Sequence, residues 1–402
     1  MDIVAREMQA EELAKVIETR NTHFPPIARE DWYREGTMTA AVALLDDQIV
    51  GAIPLAIRRF QVAPGRVVTA AFENAVLVID GIRDKGIGTK MIDAAKQFLA
   101  DRCDVLMVYR GHERSKGYNF YEKTDHFDLH YIIEYILHQP LDWGDEASPN
   151  MTQDADTFLA LEPQILNIYQ SIFGRFGGFP VRQPGYWGRM LSGHIYAVHP
   201  TEFTYLWYQD AGRMIGYCIL GRRTEHPNNR DYRPLQILEL AALNNDYAAG
   251  LALLKAASTL ASRQGCKLTM QGHNHPLEPL FRALGAKPAS REDMSMIMGQ
   301  LLNPAGFGKA LEERPLLENI EIKVWTPKRD FVLKPAQNTA TSSITLGMKE
   351  DTLTRLLLHR LDPIAAIADE RITISESNDT VVGEIAEAFA GHDWVYHALD
   401  YI

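Results

Sequence analysis

The sequence predicts an α/β (α+β) chain of three successive units, and three observations predict it. Runs with strand character alternate with stretches of helical periodicity. The order strand, turn, helix, strand appears in the first third and again in the second. The last hundred residues then follow a different order. At 402 residues with 46% apolar content, the chain is too long for a single core and apolar enough to give each unit its own.

The first unit is expected over residues 1–140. Helical periodicity runs through 11–19, and strands at 39–45 and 48–57 form a hairpin around Asp46-Asp47. Next come the strand Val76-Leu77-Val78-Ile79 and the bend Arg83-Asp84-Lys85-Gly86-Ile87-Gly88-Thr89. A helix follows over 89–100, with Met91, Ile92, Ala95, Phe98 and Leu99 on one face. A glycine-bearing bend between strand and helix aims unpaired N–H groups and the positive end of the helix dipole at one point, so it can cradle a diphosphate. Gly86 and Gly88 are expected to let the backbone approach the phosphates. The spacing fits neither G-x-x-x-x-G-K-[ST] nor G-x-G-x-x-G. A strand at 104–109, a short helix opened by Gly117-Tyr118-Asn119-Phe120-Tyr121-Glu122-Lys123, and a closing strand at 129–137 complete the unit. Residues 139–153, with Pro140, Gly144 and Pro149, have linker chemistry.

Arg83-x-x-Gly86-x-Gly88 has the form [QR]-x-x-G-x-[GA] and resembles the acyl-CoA pyrophosphate loop of the GNAT acetyltransferase superfamily. The helix, strand and Phe-Tyr-Glu-Lys segment after it follow that family's order. The resemblance implies a mixed, mostly antiparallel sheet flanked by helices. It implies acetyl-CoA bound by Val76, Leu77, Val78, Arg83, Asp84, Lys85, Gly86, Ile87, Gly88 and Thr89, without a metal. It also implies that Tyr121 protonates the departing thiolate as general acid and that an amide near Val78 steadies the oxyanion. The family continues K-x-G-F where this chain has Lys123-Thr124-Asp125-His126-Phe127, so a longer or reshaped turn is expected.

The second unit, 155–298, repeats the plan. A helical opening over 158–173 precedes strands at 204–208, 214–220 and 235–242, a helix at 247–263, a strand at 267–271 and the segment Pro279-Leu280-Phe281-Arg282-Ala283. Its cradle position reads Leu243-Asn244-Asn245-Asp246-Tyr247. Lacking paired glycines and carrying an acid that repels phosphate, it is expected to bind no CoA. The third unit, 306–402, has strands at 320–325, 344–348 and 371–374, with helices over 351–358 and 361–367. Its strand, acidic turn, helix, Leu361-Asp362-Pro363, helix order resembles sterol carrier protein-like domains.

Two GNAT-type units followed by such a domain resemble the enhanced intracellular survival (Eis) acetyltransferases over essentially the whole chain. Phe179-Pro180-Val181-Arg182 with Tyr186-Trp187 looks like a G-x-V-x-R…W stretch of that family's central domain. The resemblance implies catalysis in the first unit, a homo-oligomer, specifically a hexamer of paired trimers, and a terminal carboxylate in the active site. Here that carboxylate belongs to Ile402. Glu73 is the other candidate base, because some GNAT enzymes place a glutamate there; the choice stays open.

A balance of 41 basic against 52 acidic residues, net −11, argues against a nucleic-acid surface. Cys103, Cys218 and Cys266 lie far apart, so they are expected to be buried thiols in a reducing, cytoplasmic compartment. No leader and no membrane-spanning run is expected. His273-x-His275 is read as a solvated pair, and Trp32, Tyr33 and Trp187 as core or hinge aromatics or the lining of an amine cleft. The leading expectation is an N-acetyltransferase acting on a primary amine of an aminoglycoside, a polyamine or a lysine side chain. The alternatives are a catalytically silent CoA-binding sensor or scaffold, and a lipid-binding protein acting through its last domain.

Overall fold

The structure, a computed structural model, describes residues 3–21, 38–111, 119–144, 149–191, 201–223, 233–243, 246–290, 294–337, 342–375 and 379–400. The first unit contains β1 (Ile3–Glu7), α1 (Leu13–Asn21), β2 (Met38–Leu45), β3 (Gln48–Ala63), β4 (Arg66–Glu73), β5 (Leu77–Val78), α2 (Ile87–Leu99), β6 (Val105–Arg110) and β7 (Phe127–Ile132). Asp46 and Asp47, at φ 49° and 59°, make the two-residue turn that the β2–β3 hairpin requires. Met91, Ile92, Ala95 and Leu99 of α2 pack with Ile53, Leu55 and Ala71 on one face of the sheet.

The second unit contains β8 (Glu134–Leu137), β9 (Asn150–Thr152), α3 (Ala155–Leu159), α4 (Glu162–Phe173), β10 (Phe179–Pro180), α5 (Tyr186–Leu191), β11 (Thr201–Asp210), β12 (Arg213–Arg223) and β13 (Leu235–Ala242). It continues with α6 (Tyr247–Arg263), β14 (Leu268–Gln271), α7 (Glu278–Ala283), β15 (Lys287–Pro288) and β16 (Ser295–Leu301). The first sheet runs β1-β2-β3-β4-β6-β16-β7, with β5 and β10 also on β3; the second runs β15-β8-β14-β13-β12-β11-β9. β4 and β6 are parallel, as are β13 and β14. These are tandem GNAT-like folds, and they exchange a strand: β8, which follows β7, enters the second sheet, and β16, which follows β15, enters the first.

Two expected strands differ from those observed. The run 129–137 breaks at Ile133 into β7 and β8, one in each sheet, because the exchange moves the chain from one sheet to the other there. Val76–Ile79 supplies only the two-residue β5. The strand beside β6 is β4, whose Val67, Val68, Thr69 and Phe72 suit a sheet and follow a turn at Pro64-Gly65.

The third unit has α8 (Lys309–Glu312), β17 (Ile320–Trp325), β18 (Asp330–Lys334), β19 (Ser342–Met348), α9 (Glu350–Leu357), α10 (Pro363–Ala368), β20 (Ile372–Ile374) and α11 (Asp379–Ala388), with sheet order β18-β17-β19-β20. Its Ile322, Val324 and Leu346 share one core with Phe60, Phe72 and Met107 on the face of the first sheet opposite α2. Residues 394–400 are all buried. Cys103 and Cys218 are buried as expected, but Cys266 is only half-buried, at the loop after α6. Among the described residues, no helix is long and apolar enough to cross a membrane.

Candidate active site

The site is built where β4 and β6 part. Their parallel pairing ends at Glu73 and Val108. Beyond it, three steps along β3 (Leu55 to Ala52) are matched by four along the partner strand (Glu73 to Leu77). The extra residue makes a bulge with Ala75 at φ 65°, a conformation that costs a non-glycine residue about 1 kcal/mol. The bulge turns Leu77–Val78 onto β3 and away from β6, which leaves a wedge-shaped gap. Ile79 N–H donates to Val50 O at 3.0 Å. By strand alternation, the amide of Val78 therefore faces away from β3, into the gap.

The bend at the mouth of the gap is open. Gly81, Arg83, Asp84, Lys85 and Gly86 are exposed, with Gly81, Asp84 and Gly86 at φ 85°, 63° and 74°. Among the described residues, none of the amides from Gly81 to Thr89 donates a hydrogen bond within the protein, and Gly86 gives α2 no side-chain cap. These donors and the dipole of a 13-residue helix face solvent together. Arg83 folds back, its Nε donating to Val78 O at 2.9 Å and its Nη2 lying 3.2 Å from Asp80 Oδ1. The two glycines differ in purpose. Gly86 is required by its positive φ, with open space where a side chain would start. A Cβ on Gly88 would stand 2.9 Å from the Phe120 ring, so Gly88 admits that ring rather than a phosphate.

Tyr121 lies inside the gap. It is 9% exposed and packs with Val108, Met296, Met298, Val76 and Phe120. The expected helix at 117–123 is, among the described residues, a single 3-10 turn, Glu122–Thr124; Gly117 and Tyr118 lie outside the described residues. The turn is not lengthened. Asp125 takes the left-handed position at φ 66° that a glycine would hold, and His126, 2% exposed, turns inward. His126 N–H donates to Tyr121 O at 3.1 Å, and the two rings meet edge to face at 5.4 Å.

Glu73 reaches the same place. It is 4% exposed, and its Oε1 lies 2.8 Å from His126 Nε2, although the approach is too oblique for a regular hydrogen bond. Thr124 Oγ1, which donates to Tyr121 O at 3.1 Å, is 3.0 Å from His126 Nδ1. Gln300 Nε2, on the exchanged strand β16, is 3.3 Å from His126 Nε2. His126 and Gln300 carry no sequence signal, because the strand exchange brings Gln300 in from the end of the second unit.

The C-terminal segment covers the face of the first sheet away from α2. Phe72 stacks on Tyr109 at 5.2 Å, Tyr396 meets Tyr109 at 5.4 Å, and Trp394 meets Phe60 at 5.4 Å. Arg58 Nη1 donates to Asp400 O at 3.5 Å. Ile402 lies outside the described residues, as do Trp32 and Tyr33. Trp187 is fully buried in the core of the second unit, its Nε1 donating to Glu239 Oε1 at 2.6 Å. His275 is not solvated: it is buried, its Nε2 donates to Leu240 O at 2.9 Å, and its Nδ1 accepts from Leu277 N–H. Burial pushes its pKa down to about 4. Among the described residues, no three His, Cys, Asp or Glu side chains gather closely enough to hold a metal.

The second unit closes the place where a phosphate would sit. Asp246 caps α6, its Oδ1 accepting from Ala249 N–H at 3.0 Å. That carboxylate stands where the corresponding bend of the first unit is open; Asn244 and Asn245 lie outside the described residues.

Residues 5–127 match the model of the Acetyltransferase (GNAT) family. No curated protein matches the sequence. The fold is similar over 100% of both chains to a probable N-acyltransferase from Enterococcus faecalis, at 14% identity and TM-score 0.68. It is likewise similar over 100% of both chains to a GCN5-related N-acetyltransferase from Anabaena variabilis, at 16% and 0.66. Eis1 from Mycobacterium abscessus is similar over 99% of both chains, at 14% and 0.58.

Proposed function

We propose that the first unit, whose residues 5–127 match the GNAT acetyltransferase family, transfers acetyl from acetyl-CoA to a primary amine. The observation that carries this reading is the open bend at 83–89. It offers uncapped amides of a long helix at the mouth of a gap that holds Tyr121 and Glu73. The diphosphate binds the bend, and the pantetheine arm runs between β5 and β6. The acceptor nitrogen, once deprotonated, attacks the thioester carbon, and the amide of Val78 steadies the oxyanion. The C–S bond then breaks, and Tyr121 returns a proton to sulfur.

Two bases are proposed for the acceptor's proton. The terminal carboxylate of Ile402 is favoured by Tyr396, which meets Tyr109 of β6, and by Arg58 of β3, which donates to Asp400 O. Glu73, held against His126 on the α2 side, is the second. Appending residues after Ile402 separates them: loss of turnover supports the terminal carboxylate, and unchanged turnover supports Glu73. The acceptor class is an aminoglycoside, a polyamine or a lysine side chain, in a homo-oligomer.

Incubation with acetyl-CoA and a panel of those amines, with free thiol as the signal, tests the reading. Thiol release that depends on the amine supports it. CoA binding without release on any amine supports the silent CoA-binding sensor instead. The lipid-carrier reading is less favoured, because Ile322, Val324 and Leu346 of the third unit pack in one core with Phe60, Phe72 and Met107 of the first sheet.

A further inference from the structure

The C-terminal segment crosses from the first unit into the second, and its last described residue ends in a buried charge cluster. Asp400 Oδ1 is 2.5 Å from Arg182 Nη1 and accepts from Tyr186 Oη at 2.7 Å. Arg182 Nη2 is 2.6 Å from Glu239 Oε2, and Glu239 Oε1 accepts from Tyr217 Oη at 2.8 Å and from Trp187 Nε1. The side chains of Arg182, Glu239 and Asp400 are each at most 1% exposed. The guanidinium also lies over the Tyr186 ring at 4.0 Å and the Tyr169 ring at 4.6 Å. Val395, Ala398 and Leu399 fill the core around it, on the face of the second sheet away from α6.

The path into this cluster is built as carefully as its end. Val395 N–H donates to Gly177 O at 2.9 Å, and Gly177 N–H to Asp393 O at 3.0 Å. A Cβ on Gly177 would stand 2.2 Å from Val62 O, and one on Gly178 would stand 2.6 Å from Trp394 Cβ. Only glycines allow β3, the 177–180 segment and the C-terminal segment to meet there.

We infer that Arg182 is a positioning residue. With Glu239 it forms a clamp that seats Asp400 and so holds Trp394 and Tyr396 of the same segment against the first unit. Without Asp400, Arg182 Nη1 and Tyr186 Oη lose their common acceptor inside the core, so the cluster favours the docked segment. The second unit, its own helix N-terminus closed by Asp246, serves as the receptor for the chain's C-terminal segment. The catalytic consequence of the clamp rests on the reading that transfer occurs in the first unit next to that segment.

The test is hydrogen exchange at residues 394–400, read beside steady-state kinetics, for the wild type, Asp400→Asn and Arg182→Lys. In the wild type these amides are expected to exchange as slowly as those of β13; fast exchange there overturns the clamp without any variant. Asp400→Asn is expected to speed their exchange at least tenfold and to lower kcat at least tenfold, with KM for acetyl-CoA changed less than twofold. Arg182→Lys, which keeps the charge, is expected to fall between the two. Unchanged exchange in Asp400→Asn overturns the clamp. Faster exchange with unchanged kcat upholds the clamp and removes the segment from the chemistry.

Discussion

At the scale of the residue, the site depends on a buried acid and a buried imidazole that complete each other. His126→Phe leaves the Glu73 carboxylate without its counterpart at 4% exposure, which is expected to cost about 3 kcal/mol or more. Glu73→Leu combined with His126→Phe is expected to recover most of that loss, as urea denaturation would register; strictly additive losses would refute the pairing. The family resemblance pointed to Glu73 and Tyr121, and the structure buries both beside His126. The inward turn of His126 was not legible in the sequence. It depends on Asp125 adopting a positive φ, which aspartate tolerates and sequence does not announce. Other buried histidines set a pH limit. Burial holds His275 and His359 at about 4, while in the unfolded chain both titrate near 6.5. The unfolded state therefore binds more protons between those values, and stability is lost as pH falls through that window. Between pH 7 and pH 5 the loss is expected to be about 2 kcal/mol for each. Denaturation that is no easier at pH 5 than at pH 7 would contradict this.

At the scale of the element, the decisive comparison is between two helix N-termini. α2 begins at a glycine with no side-chain cap, whereas α6 begins at an aspartate that caps itself. Gly86→Asp puts a carboxylate beside the open amides of α2, so it is expected to raise KM for acetyl-CoA at least tenfold. Asp246→Ala is expected to cost about 1 kcal/mol of stability and leave acetyl-CoA kinetics untouched. An unchanged KM in the first variant would mean that α2 does not bind the cofactor. This contrast is legible in the sequence, where paired glycines stand at one cradle position and an aspartate at the other. The helix of α6 and the strands β13 and β17 also fall where periodicity places them. What periodicity misplaced was β4. Leu77–Val78 looked like the principal strand because it is more apolar, although the longer Arg66–Glu73 stretch makes the parallel pairing.

At the scale of the whole molecule, the units are interlocked. β16 lies between β6 and β7, so the first sheet cannot be completed without a strand from the end of the second unit. Trp394 and Tyr396 cover Phe60 and Tyr109, and Ile322 and Val324 share their core. A fragment ending at residue 140 would lose these partners and expose that face. It is expected to show no cooperative thermal transition, whereas a sharp melt would show that the first unit is self-sufficient. The repeated strand, turn, helix, strand order is legible from element order. The exchange of strands is not, because β8 and β16 have the ordinary alternation of sheet strands and nothing local states which sheet they join. The account rests finally on the bend that binds the cofactor. A crystal structure of the acetyl-CoA complex tests it most directly. The diphosphate is predicted within hydrogen-bonding distance of the backbone amides between Arg83 and Thr89, and a diphosphate bound elsewhere with that bend empty would contradict it.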